Sequence, residues 1–220
     1  MTAKDLINYM IPPLKPGDSI AKAQQWMDEL KTTELPVAHE GRFLGLVDED
    51  MTYDFVDAHQ ISDLLLKGHD CSVKQDQHYY DVLSTSYNQG FRLVAVLDSD
   101  DGYLGVVSIQ DVVEAFAQTS SVNSPGAIMV LSIKDHDYSL SNIARMIEMN
   151  DVKVLSSHVT PQLDESSSVR LTIKLDTEEI SQVKTVLENN GVTIEATFNT
   201  TALSYDEKER LDLLMKFIKP

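Results

Sequence analysis

Two stretches of this chain, about sixty residues apart, follow one plan. Leu35 to Met51 reads LPVAHEGRFLGLVDEDM, and Val94 to Asp111 reads VAVLDSDDGYLGVVSIQD. Each runs through a short apolar strand, a polar turn and a second apolar strand that closes on Gly-apolar-Val. A helix start follows in both. An internal repeat decides the fold before any single motif does. Upstream, GDSIAKAQQWMDELKTTE and DQHYYDVLSTSYNQGFR occupy equivalent places and read as helices. In the first, Ile20, Ala23, Trp26, Met27 and Leu30 recur at helical spacing and predict a core-facing stripe. The second copy is more polar, so the two have diverged. Each unit reads strand, helix, strand, strand, helix. MTYDFVDAHQISDLLLKG closes the first unit and QDVVEAFAQ the second.

At Thr119 the pattern changes. TSSVNSPG is rich in Ser, Asn, Pro and Gly, and residues 119–125 read as a linker. Beyond it, AIMVLSIK predicts a strand. SLSNIARMIEMND predicts a helix with Leu140, Ile143, Ala144 and Ile147 on one face. VKVLSSHV and SVRLTIKL predict strands around a polar turn. TEEISQVKTVLENNG predicts a helix, with Thr177 as its N-cap and Gly191 as the glycine just past its end. VTIEATF is a last strand. The order βαββαβ is that of the ferredoxin-like split unit. The tail 203–220 places Leu211, Leu214, Met215 and Ile218 at i, i+3, i+4 and i+7. That spacing predicts one more amphipathic helix, too short to stand alone in water.

Totals narrow the function classes. The chain has 220 residues and a net charge of -17. Residues 1–120 hold eight Lys and Arg against twenty Asp and Glu. That balance argues against nucleic acid and against anionic membranes, both of which recruit clustered cations. No apolar run reaches the roughly 20 residues of a membrane helix. The N-terminus lacks the apolar stretch and cleavage site of a signal peptide. A cytoplasmic location is therefore expected. The single cysteine, Cys71, excludes an intrachain disulfide and a cysteine metal cluster.

With these motifs in view, residues 1–118 resemble a pair of cystathionine-β-synthase (CBS) domains, a Bateman module. Repeat one would span about 10–66 and repeat two about 70–118. The resemblance lies in LPVAHEGRFLGLVDED and in GVVSIQDVV, the latter matching a Gly-h-h-Ser/Thr-x-x-Asp pattern in which h is apolar. Residues 126–199 resemble an ACT domain. The combination is similar to acetoin-utilisation B-type regulatory proteins. The implied fold is α/β (α+β): a CBS pair of two β-α-β-β-α repeats, a ferredoxin-like ACT domain and a C-terminal amphipathic helix. The resemblance implies a non-catalytic allosteric sensor, a homodimer, with a regulated protein partner that the sequence does not identify. Its regulatory ligand would be an adenosine nucleotide (AMP or ATP) or S-adenosylmethionine, with no other cofactor and no metal. The implied nucleotide-binding residues are Ser108, Asp111 and Arg92, with Val107 and Ile109 beside them.

Two readings of Ser108-x-x-Asp111 stand side by side. As a helix start, Ser108 is an N-cap and Asp111 an N3 acid facing the positive helix end. As a ligand site, the Asp111 carboxylate accepts both hydroxyls of a ribose, while Ser108 and the free N–H groups suit sugar or phosphate. The first copy fits the second reading poorly. Asp48 can cap, but Met51 stands where the acid would be, and Glu49 and Asp50 add like charge. At most one nucleotide cleft per chain is expected. Arg92 is either a phosphate ligand, for which its planar fork is suited, or a surface cation paired with an acid. One cation favours a monophosphate or S-adenosylmethionine over ATP.

The other candidates read as structural. The turn Lys134 to Ser141 lacks the glycine that amino-acid-binding ACT domains carry, and has Tyr138 and Ser139 instead. Asp135, His136 and Asp137 read as a solvated turn. The six histidines show no ligand spacing. Cys71 beside His69 reads as a partly buried structural thiol. The alternative to a sensor is an interaction and dimerisation scaffold whose clefts bind nothing.

Overall fold

The computed structural model describes residues 1–54, 59–161 and 167–199, and the chain divides into two compact units, Met1–Ala117 and Gln118–Pro220. In the first unit, α1 (Ile20–Leu30) starts where Lys22 N donates to the Ser19 hydroxyl at 3.2 Å. It buries Ile20, Ala23 and Met27. Strands β1 (Glu34–His39) and β2 (Arg42–Asp48) pair antiparallel, and α2 (Glu49–Asp54) follows. The second repeat holds β3 (Ser72–Lys74), α3 (Tyr79–Gln89), β4 (Leu93–Leu97), β5 (Tyr103–Ser108) and α4 (Ile109–Ala117). Here β3 runs parallel to β4, and β4 antiparallel to β5. The first repeat keeps only a single bridge in place of β3, between Leu14 and Val37.

The repeats match in register as well as in order. Glu34 lies opposite Asp48, and Leu93 opposite Ser108. Both hairpins carry an irregularity at the same place, after Val37 and after Val96. Asp48 therefore corresponds to Ser108, and Met51 to Asp111. The segment closing the first repeat departs from the expected helix. Beyond α2 its described part makes a 3₁₀ turn at Ile61–Asp63 and then runs along β2, where Leu46 N donates to Lys67 O at 2.7 Å.

The N-terminal arm packs on repeat two, and the segment that leads from α2 toward β3 packs on repeat one. Ala3 N donates to Gln77 O, and Asn8 N to Val106 O, both at 2.8 Å. Ile61 N donates to Asp18 O at 2.9 Å. These crossings explain the glycine that both repeats keep. A Cβ at Gly105 would stand 2.6 Å from Ile7 Cγ2, and one at Gly45 would stand 2.7 Å from Lys67 O. Two cores result. One gathers Leu14, Leu35, Val37, Val47, Met51 and Ile61; the other gathers Cys71, Val73, Val82, Leu93, Val96 and Val107. Fully burying each aliphatic side chain of this size contributes about 1.5–3 kcal/mol.

The second unit begins with a one-turn helix, α5 (Ser120–Asn123), inside the expected linker. Then come β6 (Ile128–Lys134), α6 (Leu140–Glu148), β7 (Val154–Pro161), β8 (Ser168–Leu175), α7 (Ser181–Asn189) and β9 (Thr193–Phe198). The sheet order is β7-β8-β6-β9 and every pair is antiparallel, as the split βαββαβ unit requires. Met129, Leu131 and Ile133 alternate along β6 toward Ile143, Ile147, Val183 and Leu187 of the helices. Thr177 does not cap α7, which starts four residues later behind Ile180. Its hydroxyl accepts from Glu179 N and its carbonyl from Ala127 N, so it anchors the approach to the helix instead. Gly191 does follow the helix end, with φ of +77°. The expected helix over 203–220 lies outside the described residues. No helix among the described residues is long and apolar enough to cross a membrane.

Candidate functional site

The start of α4 is a reciprocal cap. Ser108 N and Ser108 Oγ donate to Asp111 Oδ2 at 3.0 and 2.6 Å, and Asp111 N donates back to Ser108 Oγ at 3.1 Å. Aspartate thus does at this N3 position what Glu or Gln does in the usual capping box. The structural reading of the motif is real, and it leaves the second carboxylate oxygen available to other groups.

A cavity of about 890 Å³ opens over this helix start. Ser108, Ile109, Asp111 and Arg92 line it, together with Asn8, Lys31, Thr33, Tyr87 and Glu114. Four of the five sequence-predicted residues are therefore brought together. Val107 is not among them: it is fully buried in the core of repeat two. Alternation along β5 turns it away from the face that carries Ser108. The Ile109 N–H donates to Arg92 O at 3.0 Å, which ties the helix start to the start of β4. Among the described residues, the Arg92 guanidinium makes no hydrogen bond or ion pair. Its charge acts on the Glu34 carboxyl, while its N–H donors remain open to an anion.

Two residues that the sequence reading passed over shape this site. Asn8 comes from the N-terminal arm, 103 positions away, and its Nδ2 donates to Asp111 Oδ1 and Oδ2 at 3.1 and 3.2 Å. Glu34, at the start of β1, is 8% exposed. Its Oε2 accepts from Arg92 N at 2.9 Å and Leu93 N at 3.0 Å. Burial raises its carboxyl above the ordinary value of 4.5, against the lowering effect of those two amides and of the nearby Arg92 charge. Its signal was present in the sequence, as an acid directly before Leu-Pro-Val, where the other repeat has Leu93. Asn8 left no such signal, because only the crossing of the arms brings it here.

The equivalent place in repeat one holds a smaller cavity of about 410 Å³, lined by Lys31, Thr33 and Glu49, and it lacks the acid that Asp111 supplies in repeat two. Met51 is buried in the core, and its N–H donates to Asp48 Oδ1 at 2.8 Å. The other Asp48 oxygen accepts from Lys67 Nζ at 2.9 Å. Lys67 occupies the position that Asn8 holds over repeat two. Cys71 lies behind the site, its Sγ donating to Leu93 O at 3.3 Å. Burial first, and then the Glu34 charge, push its thiol up to about 12. In the second unit, Ser139 caps α6 through Asn142 N at 3.4 Å. His136 and Asp137 pair at 3.3 Å with both side chains exposed, as a solvated turn does. Among the described residues no group of three or more His, Cys, Asp and Glu is placed to hold a metal.

Residues 61–118 match the family model of the CBS domain. No curated protein matches the sequence. The chain is similar to a solved CBS domain pair/ACT domain protein from Thermotoga maritima, with 22% identity, 54% of this chain and 98% of that chain covered, and a TM-score of 0.48. It is similar also to CBSX2, a CBS-pair protein of Arabidopsis thaliana, in complex with AMP, at 23% identity, 53% and 96% coverage and a TM-score of 0.47. A third is the CBS domain pair of MJ0100 with 5′-methylthioadenosine and S-adenosyl-L-methionine, at 18% identity, 53% and 96% coverage and a TM-score of 0.45.

Proposed function

We propose that residues 1–118 form a CBS-domain pair that senses an adenosyl ligand in the cavity over α4. The observation that carries the reading is the convergence of Ser108, Asp111 and an unpaired Arg92 on that cavity, within the span that matches the CBS family model. Asp111 would take the ribose hydroxyls, Ser108 and Ile109 would line the sugar, and Arg92 would face a phosphate. Repeat one spans about 10–66 and repeat two about 70–118 in this proposal. Residues 119–125 link them to an ACT-like domain at 126–199 and a terminal helix at 203–220. The protein is then regulatory rather than catalytic, cytoplasmic and homodimeric. Binding is transmitted by different affinity for two packings of its parts, to the ACT-like domain or to a protein partner.

A second reading is favoured by one observation. Among the described residues every hydrogen-bond partner of Asp111 belongs to the chain itself, so the motif is already satisfied as a cap. On that reading the chain is an interaction and dimerisation scaffold with degenerate clefts that bind nothing. Thermal unfolding with AMP, ATP and S-adenosylmethionine separates the two. A ligand present at about a hundred times its Kd raises stability by roughly 2.7 kcal/mol. The sensor reading expects this gain from AMP or S-adenosylmethionine and its loss in Asp111→Ala. A flat response to all three selects the scaffold.

A further inference from the structure

Asn8 holds Asp111 from outside the cap. Its amide nitrogen lies almost equally far from the two carboxylate oxygens, 3.1 Å from Oδ1 and 3.2 Å from Oδ2. Oδ2 also receives both Ser108 donors, whereas among the described residues Oδ1 accepts from Asn8 alone. The nitrogen therefore sits astride the carboxylate, on the side that opens to the cavity both residues line. A vicinal diol chelating Asp111 needs the same place. We infer that Asn8 is a built-in competitor for the ligand, and that binding expels its side chain. The inference rests on the nucleotide reading given above.

The exchange favours the diol. One N–H shared between two oxygens above 3 Å is a weak donor arrangement, whereas hydroxyl-to-carboxylate bonds form at about 2.5–2.7 Å and are among the strong ones. Expulsion also has an address. Asn8 Oδ1 accepts from Met10 N at 3.0 Å and so braces the turn that presents Tyr9 and Met10, which are 78% and 75% exposed. The backbone of Asn8 stays pinned, because its N–H donates to Val106 O at 2.8 Å. Losing the side chain from Asp111 therefore frees the Tyr9–Met10 turn without releasing the arm beneath it. Occupancy of the cavity is converted into a change at the exposed turn whose Met10 stands at its rim.

The test is calorimetric titration of AMP into the full chain and its Asn8→Ala variant, with amide hydrogen exchange of the unsubstituted protein followed at Met10. Removing the competitor should tighten AMP about three- to tenfold, the weight of one hydrogen bond. Saturating AMP should speed exchange of the Met10 amide. Binding by the wild type with equal or weaker binding by Asn8→Ala would overturn the competitor role and leave the nucleotide reading intact. So would a Met10 amide indifferent to AMP, a readout that needs no substitution. Absence of binding by both proteins, of AMP and of S-adenosylmethionine titrated in parallel, would overturn the nucleotide reading, and this inference with it.

Discussion

Replacing Glu34 isolates the contact that ties the first repeat to the start of β4. Its carboxylate is the acceptor for two main-chain donors, Arg92 N at 2.9 Å and Leu93 N at 3.0 Å. Glu34→Ala strands both. Leu93 is 1% exposed, so its amide has no water to turn to. A buried unsatisfied donor costs about 1–3 kcal/mol, and the partly buried Arg92 amide adds less. Relief of the desolvated carboxylate offsets a fraction, leaving a net loss of about 1–3 kcal/mol. Glu34→Gln keeps an acceptor oxygen and should stay within about 1 kcal/mol of wild type. Urea unfolding followed at Trp26, the only tryptophan and part of repeat one, measures both. The pH dependence gives a second reading of the same group. A carboxyl raised on folding makes the native state bind its proton more tightly. Its stabilising contribution is therefore complete below the ordinary value of 4.5 and is lost as pH rises through the raised one. Glu34→Gln should remove that decline, seen as a difference between the two stability–pH curves. A loss below about 0.5 kcal/mol in the alanine variant, or a glutamine variant as damaged as the alanine one, would refute the account of this contact.

Three further outcomes follow from the geometry. Gly105→Ala should cost about 1–3 kcal/mol, because the new methyl group meets Ile7 of the crossing arm, whereas Gly41→Ala, with nothing within 4 Å, should cost only the strain of its positive φ; chemical denaturation compares them. Cys71 should resist a thiol reagent at pH 8 until the protein is unfolded, since the thiol is buried and pushed up to about 12; labelling with and without denaturant reads this. Arg92→Ala should weaken AMP roughly tenfold or more and leave adenosine unchanged, because the lost group is a charged donor to phosphate; paired titrations of the two ligands report it.

The repeat was legible because its strands and turns are local, and alternation and turn residues encode local structure directly. The same holds for the βαββαβ order of the second unit and for Gly191. What escaped the sequence depends on contacts across long separations. Nothing near Asn8 points to Asp111, and nothing near Ile7 points to Gly105, until the arms are seen to cross. Thr177 misled because a threonine ahead of an acidic pair looks like a cap. Its carbonyl is instead claimed by Ala127, and the helix begins later. Val107 shows a finer limit. Proximity in a motif placed it in the site, while strand alternation buries it in the core. The contrast between Met51 and Asp111 carried through into the structure, where one is core and the other faces a cavity.

That contrast is the centre of the account, and the stoichiometry of AMP binding tests it most directly. Calorimetry should find one AMP per chain, and Asp111→Ala should abolish the heat while leaving the fold intact by circular dichroism. Two equivalent sites per chain, or an Asp111→Ala variant that binds as the wild type does, would contradict it.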